Sequence, residues 1–246
     1  MNQEWVKSGQ RHNEQVEKLR QAQDLVVLKE YRFQESETPL PLGKIAAFRP
    51  AQPHKALVVE MQPQLGRLAS LDIFETLQSP GDHLADWATF DCVDFGSDIG
   101  SLDIVVVERG IELTTVLAKH GSLSNLNKLS WVEHILKAVT FLHSHGFVHG
   151  NICLENISLV STVGVAQPKL SGYAAYATKW NQDLAPHCID TAVYCPPEMA
   201  SYLLGYREKP PKAAPSYDVW SVAIAILKMF SPGHLKIWDH STLSRK

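Results

Sequence analysis

Between Gly146 and Val160 the sequence reads GFVHGNICLENISLV, and here side chains able to do chemistry come closest together. Two residues after His149 stands Asn151, a neutral amide that can neither take nor give up a proton near pH 7. Cys153 reads as a small buried side chain rather than a reactive thiol. Asn156 can serve as a metal ligand or as a hydrogen-bonder that stabilises its own loop. His143, His145 and His149 lie across a helix end and a loop with no companion cysteine cluster, so they are not read as zinc ligands.

These residues need a scaffold, and the 246-residue chain, 45% apolar, is long enough to bury one large core or two lobes. With 23 basic and 26 acidic residues the formal charge is -3, so nothing in the overall balance favours nucleic acid or an anionic membrane. The four cysteines fall at no C-x-x-C spacing, and the polar start MNQEWVKSGQRHNEQ lacks the apolar core of a signal peptide. A cytoplasmic location is expected. No apolar run approaches the roughly 20 residues that cross a bilayer.

Residues 1–24 are mostly polar, with Trp5, Val16 and Leu19 at loosely helical spacing, and predict a helical extension. Over 25–109 the pattern turns to short β-type runs, LVVLKEYRF, GKIAAF, KALVVEM, WATFDCV and SLDIVVVE, parted by Pro, Gly and Asp clusters. Only QLGRLASLDIFETLQ has helical periodicity there, with Leu65, Leu68, Leu71 or Asp72, and Glu75 spaced by three or four. Five strands and one helix predict a small, mainly antiparallel sheet lobe.

Residues 110–246 are mainly helical. Leu129, Val132, Ile135, Leu136, Val139 and Leu142 predict the apolar stripe of one long helix, begun by Ser124 or Asn125 and ended by Gly146. A β-like pair, ISLVS and PKLSG, precedes a loop of some 25 residues, a length that usually signals function. YDVWSVAIAILKMF is apolar nearly all round, which predicts a helix buried at the centre of its lobe.

The order of sheet lobe, long helix, HGNICLEN, loop, TAVYCPPE and YDVWS resembles the eukaryotic protein-kinase family, serine/threonine branch, over roughly Leu25 to Phe230. HGNICLEN matches the H-R-D-L-x-x-x-N pattern in length and in its ends, His149 and Asn156. The resemblance implies an α+β, bilobal fold. It equates Thr191, Glu198 and Asp218 with the loop threonine, the A-P-E glutamate and the aspartate of the central helix. It also places a hinge near Glu108 to Glu112, where Glu108, Arg109 and Gly110 would adjoin a nucleotide.

Phosphoryl transfer rests on positioning phosphates, holding Mg²⁺ and orienting the attacking hydroxyl. In this frame Asn151 replaces the aspartate base, Gly150 the arginine and Cys153 the lysine of the loop. KLSGYA equates Gly172, Tyr173 and Ala174 with the D-F-G triplet, and glycine offers no oxygen ligand to Mg²⁺. A literal Asp94–Gly96 DFG precedes the loop and reads as a strand end and turn. The phosphate-binding lysine falls at Glu60 in ALVVE; the rival register, Lys29 in LVVLK, leaves too many residues before the hinge. Lys55, five residues from Glu60, would point to the opposite face of a strand. Glu75 is late for the lysine's usual partner, with Arg67 or Leu68 nearer its position. Only Gly43 survives of a glycine-rich loop, and Pro39 and Pro41 remove N–H groups that would face phosphate.

The expectation is therefore a catalytically inactive kinase-like domain, or pseudokinase, that binds a protein partner as scaffold or allosteric regulator. No metal and no cofactor are expected, save ATP at the hinge without productive Mg²⁺. The competing expectation is an atypical serine/threonine kinase using displaced groups, Lys29 or Lys44 for phosphate and Asp183 or Asp190 for metal. A third is a truncated product without independent function, since the family continues past the central helix and supplies an arginine to the A-P-E glutamate. Glu198 would then be a costly buried carboxylate.

Overall fold

Runs of β-branched and aliphatic residues make the first part of the chain a sheet with consecutive residues on opposite faces. In the computed structural model, which describes residues 31–33, 44–63, 73, 76, 77, 82–94, 101–119, 123–162, 165–173, 177–184 and 193–231, the chain divides into two compact units. The first comprises residues 1–65 and 86–109, the second residues 66–85 and 110–246.

Five strands form the first unit: β1 (Arg32–Phe33), β2 (Lys44–Arg49), β3 (Gln52–Pro63), β4 (Trp87–Asp94) and β5 (Ser101–Glu108). Their order is β1-β2-β3-β5-β4, every pair antiparallel. Tyr31, Ile45, Ala47, Leu57, Val59, Ile104 and Val106 build its core. The alternate residues Ala46, Val58, Val105 and Val107 are buried too, so both faces of the central strands are withdrawn from water. That explains why these strands read as continuous apolar runs rather than as alternation.

In the second unit, β6 (Ile111–Glu112) leads into α1 (Leu113–Lys119) and α2 (Asn125–Ser144). β7 (Phe147–Val148), a 3-10 turn (Leu154–Asn156), β8 (Ile157–Thr162), β9 (Val165–Leu170) and β10 (Thr178–Lys179) follow. Last come α3 (Pro197–Leu203) and α4 (Pro215–Phe230). β8 pairs antiparallel with β6 and β9, and β7 with β10.

Ser124 caps α2 by accepting the Asn127 N–H at 3.3 Å, and Gly146, at φ +80°, turns the chain out of it. The buried stripe of α2 keeps Ile135, Val139 and Leu142 of the expected one and has Lys128, Trp131 and Ala138 in place of Leu129, Val132 and Leu136. Leu129 and Leu136 are exposed and Val132 is half-buried. Two interleaved stripes compete along this sequence, and the one carrying the large Trp131 wins. Lys128 joins it by burying its aliphatic stem and holding its ammonium 5.5 Å from the Phe230 ring centre.

α4 departs from expectation as well. Tyr217, Val222, Ile224, Ala225 and Met229 are buried, but Val219, Ala223 and Leu227, spaced by four, are exposed because no described element covers that line. The helix expected within QLGRLASLDIFETLQ appears at Ile73 and Thr76, with Leu77 N–H bonded to Ile73 O at 2.7 Å. Ile73 and Leu77 are its buried positions, and it groups with the second unit rather than with the sheet. The turn after it explains the grouping: Ala85 N–H donates to Leu170 O and Leu170 N–H to His83 O, both at 2.9 Å, which ties residues 83–85 to the end of β9. Residues 1–24, Leu65, Arg67, Leu68, Leu71, Asp72 and Glu75 lie outside the described residues.

The stripe of α2 is testable by urea denaturation. Trp131→Ala should cost about 3 kcal/mol or more through lost burial and the cavity left behind, whereas Leu129→Ala should stay within about 0.5 kcal/mol.

Candidate functional site

The site region of the second unit is organised by a carboxylate. Asp218, in the first turn of α4, is fully buried and takes the backbone N–H of His149 at 2.7 Å and of Gly150 at 2.9 Å. His143 Nε2–H, from the last turn of α2, donates to it at 2.8 Å. Three donors thus converge on one anion, and charged acceptors make the stronger hydrogen bonds.

His149 itself is fully buried. Its Nε2 faces the Ser171 carbonyl at 2.9 Å, and its Nδ1 faces the backbone N–H of Asn151 at 3.2 Å. A carbonyl can only accept and a backbone N–H can only donate, so the proton sits on Nε2 and Nδ1 is the acceptor. Burial holds this ring below the usual imidazole range, against the opposing pull of Asp218.

Asn151 is also buried, and its carbonyl accepts the Asn156 side-chain Nδ2–H at 2.9 Å. The Asn156 carbonyl takes both the N–H of Ser171 at 2.8 Å and its hydroxyl at 3.1 Å. The loop is thereby stitched to the end of β9. The next residue, Gly172, has φ +81°, and a Cβ built there would lie 3.1–3.3 Å from the Asn156 amide group. Gly150 has φ +78°, where a side chain such as arginine would be strained. Tyr173 is buried and donates its hydroxyl to Ala85 O at 2.7 Å.

Cys153 is wholly enclosed, and burial first, then Glu155, pushes its thiol up, leaving it protonated and inert. Cys195 is pushed up to about 11 by burial. Glu198 stands in the first turn of α3 and is half-buried, so it is not a fully enclosed carboxylate. Asp183, considered for metal, is paired with Lys212 at 2.8 Å on the surface.

Glu60 belongs to the other unit, in β3, in register with Lys44 of β2 and Val105 of β5. Glu108 and Arg109 belong there too. Their N–H groups donate to Asp86 O at 2.7 Å and to Ala56 O at 3.0 Å. A Cβ on Gly110 would meet Leu159 O and Ser158 Cβ at 2.7 Å, so β8 passes too close for a larger residue. β4 ends at Asp94, in keeping with the literal DFG being a strand end. Thr191, Ala174, Asp190, Lys29, Gly43, Pro39 and Pro41 lie outside the described residues.

The structure brings together His149, Asn151, Asn156, Gly172 and Asp218, together with Ser171, which sequence reasoning missed, and His143, which it weighed only as a zinc ligand. A signal for His143 existed: Asp218 is the lone acid opening an apolar helix and needs a cation or donor nearby.

Buried histidine, amide ladder and helix-borne aspartate form a loop of defined shape, and the class of protein they define is shown by comparison. Residues 102–243, more than half of the chain, match the protein kinase domain, and the chain belongs to that family. Mitosis inducer protein kinase cdr1 of Schizosaccharomyces pombe is 29% identical over 49% of this chain and 19% of its own length. Human calcium/calmodulin-dependent protein kinase type IV is 28% identical over 49% of this chain and 24% of its own. Serine/threonine-protein kinase PKH3 of Saccharomyces cerevisiae is 30% identical over 48% and 14%. The chain thus matches less than a quarter of each relative's length, and β1 to β4 precede the matched span. No helix among the described residues is long and apolar enough to cross a membrane.

Two outcomes follow for the loop. Asp218→Asn turns an amide N–H₂ toward buried donors and should cost about 3 kcal/mol or more in urea denaturation. The unfolded chain protonates His149 near 6.5, before the folded chain does, so this ring's stabilising contribution is complete above that pH and is lost as pH falls below it. The drop in urea midpoint between pH 7.5 and 5.5 should be smaller in His149→Asn than in the unmutated chain.

Proposed function

We propose that this domain keeps the protein-kinase fold without phosphoryl-transfer activity and acts as a scaffold or allosteric regulator of a protein partner in cytoplasmic signalling. The observation that carries the reading is the pairing of Gly172 with Asn156. At the residue equated with the metal-binding aspartate there is no side chain, and the Asn156 amide group packs against the vacated position. That same amide spends its Nδ2–H on the Asn151 carbonyl.

The other residues equated with catalytic parts agree. Asn151 offers an amide in place of a base. Cys153 offers a protonated thiol in place of a cation. Glu60, at the position equated with the phosphate-binding lysine, would repel the phosphates it should hold. The groups that fix the loop, His149 and Asp218, retain the types the family uses. In this reading no cofactor is required, and ATP, if it binds at Glu108 to Gly110, does so without productive Mg²⁺.

Purified protein given ATP and Mg²⁺ should show neither a magnesium-dependent rise in melting temperature nor transfer of labelled phosphate to protein substrates. Magnesium-dependent transfer that Asn156→Ala abolishes would overturn the proposal in favour of an atypical serine/threonine kinase. Gly172→Asp should not create metal binding, and should cost about 1–3 kcal/mol because the position is left-handed and the new side chain meets Asn156.

A further inference from the structure

Away from the loop, two imidazoles of the second unit face each other. His83 stands in the turn bonded to the end of β9, and His134 in the middle of α2. Their Nδ1 atoms are 3.1 Å apart, their ring centres 5.0 Å apart, and their planes inclined by 68°. Two facing ring nitrogens can share one proton at most. A straight N–H···N bond of this length would hold the ring centres about 5.4 Å apart. The shorter observed separation means that the two lone-pair axes meet at an angle.

That angle suits a shared cation. With metal–nitrogen bonds of about 2.0–2.1 Å, two imidazole nitrogens lie about 2.9 Å apart for right-angle coordination and about 3.3 Å apart for tetrahedral coordination. The matching ring-centre separations run from about 4.5 to about 5.2 Å. Both observed distances fall inside these ranges. Each ring is half-buried, so it is oriented by packing yet open to solvent on one side. Lys137 acts on His83 more strongly than either Asp82 or Glu133, which favour positive charge there, but its ammonium is held by Glu133 at 2.7 Å.

We propose that His83 and His134 form a two-imidazole site for a borderline divalent cation of the Zn²⁺, Ni²⁺ or Cu²⁺ class, with water completing its coordination. Imidazole ligands favour these ions over Mg²⁺ and Ca²⁺, which take oxygen donors. No group of three or more His, Cys, Asp or Glu side chains suited to a metal occurs among the described residues, so the affinity is that of a two-ligand chelate. The bound ion links the 82–85 turn to α2. Since Ala85 O in that turn accepts the Tyr173 hydroxyl, the same ion stiffens the anchor of the residue that follows Gly172.

The whole chain, titrated with Zn²⁺ at pH 7.5 and in parallel with Mg²⁺, tests this by thermal shift and by imidazole ¹⁵N spectra. Zn²⁺ should raise the melting temperature, and His83→Gln and His134→Gln should each weaken its apparent affinity by about tenfold or more. Because the chain has eleven histidines, the exposed His145 provides the control: His145→Gln should leave the affinity unchanged. Equal affinity in all three variants overturns the site. Should the variants fail to fold, the unmutated chain decides: two histidine Nδ1 resonances must move together with one binding constant, and a lone or absent shift overturns the proposal.

Discussion

A buried carboxylate is an expensive thing to place at the centre of a domain, and Asp218 is tolerable only because three donors meet it. Two of them are backbone N–H groups at His149 and Gly150, so satisfying the charge fixes the path of the loop before any side chain of the loop contributes. His149 then passes the constraint on. Its ring spans from the Asn151 N–H to the Ser171 carbonyl, and so joins the loop to the end of β9. Asn156 adds a second tie between the same two segments through Ser171.

This arrangement explains how a loop can keep its form whatever side chains stand at several of its positions. The interactions that define the form use backbone groups of Gly150, Asn151 and Ser171, which persist whatever side chain stands there. Asn151 enters this network through its backbone N–H and C=O. Glycine at 150 relieves left-handed strain, since an L side chain there costs roughly 1–2 kcal/mol. What the form does require as side chains is the imidazole at 149, the carboxylate at 218 and the amide at 156, and these are the types present.

Much of the sheet was legible because β-branched runs bounded by Pro, Gly and Asp have few other readings. KALVVEM and SLDIVVVE fall within β3 and β5. The family frame carried the loop, since HGNICLEN keeps its ends. Half of the α2 stripe, Ile135, Val139 and Leu142, is legible in the sequence; the other half is not, because Leu129 and Leu136 outweigh Ala138 on any hydropathy count, while Trp131 and the stem of Lys128 decide the packing. α4 was read as buried on every side because composition reports how apolar a helix is, not whether neighbours exist to cover each face. The contacts of His143 and the facing of His83 and His134 were illegible for a simpler reason: they join residues 75 and 51 positions apart.

The same distinction bears on which residues a sequence can nominate for function. A backbone-held loop tolerates different side chains at such positions, because neither Asn151 nor Gly172 disturbs a hydrogen bond that the loop depends on. Stability therefore places little brake on such changes, whereas a change at Asp218 or His149 breaks a buried network and destabilises the region. Sites of this kind separate into a group bound by packing and a group bound only by reaction. In this chain the first group carries the residue types of the family, whereas at the second, from Glu60 through Asn151 to Gly172, the resemblance equates residues of other types with the catalytic ones.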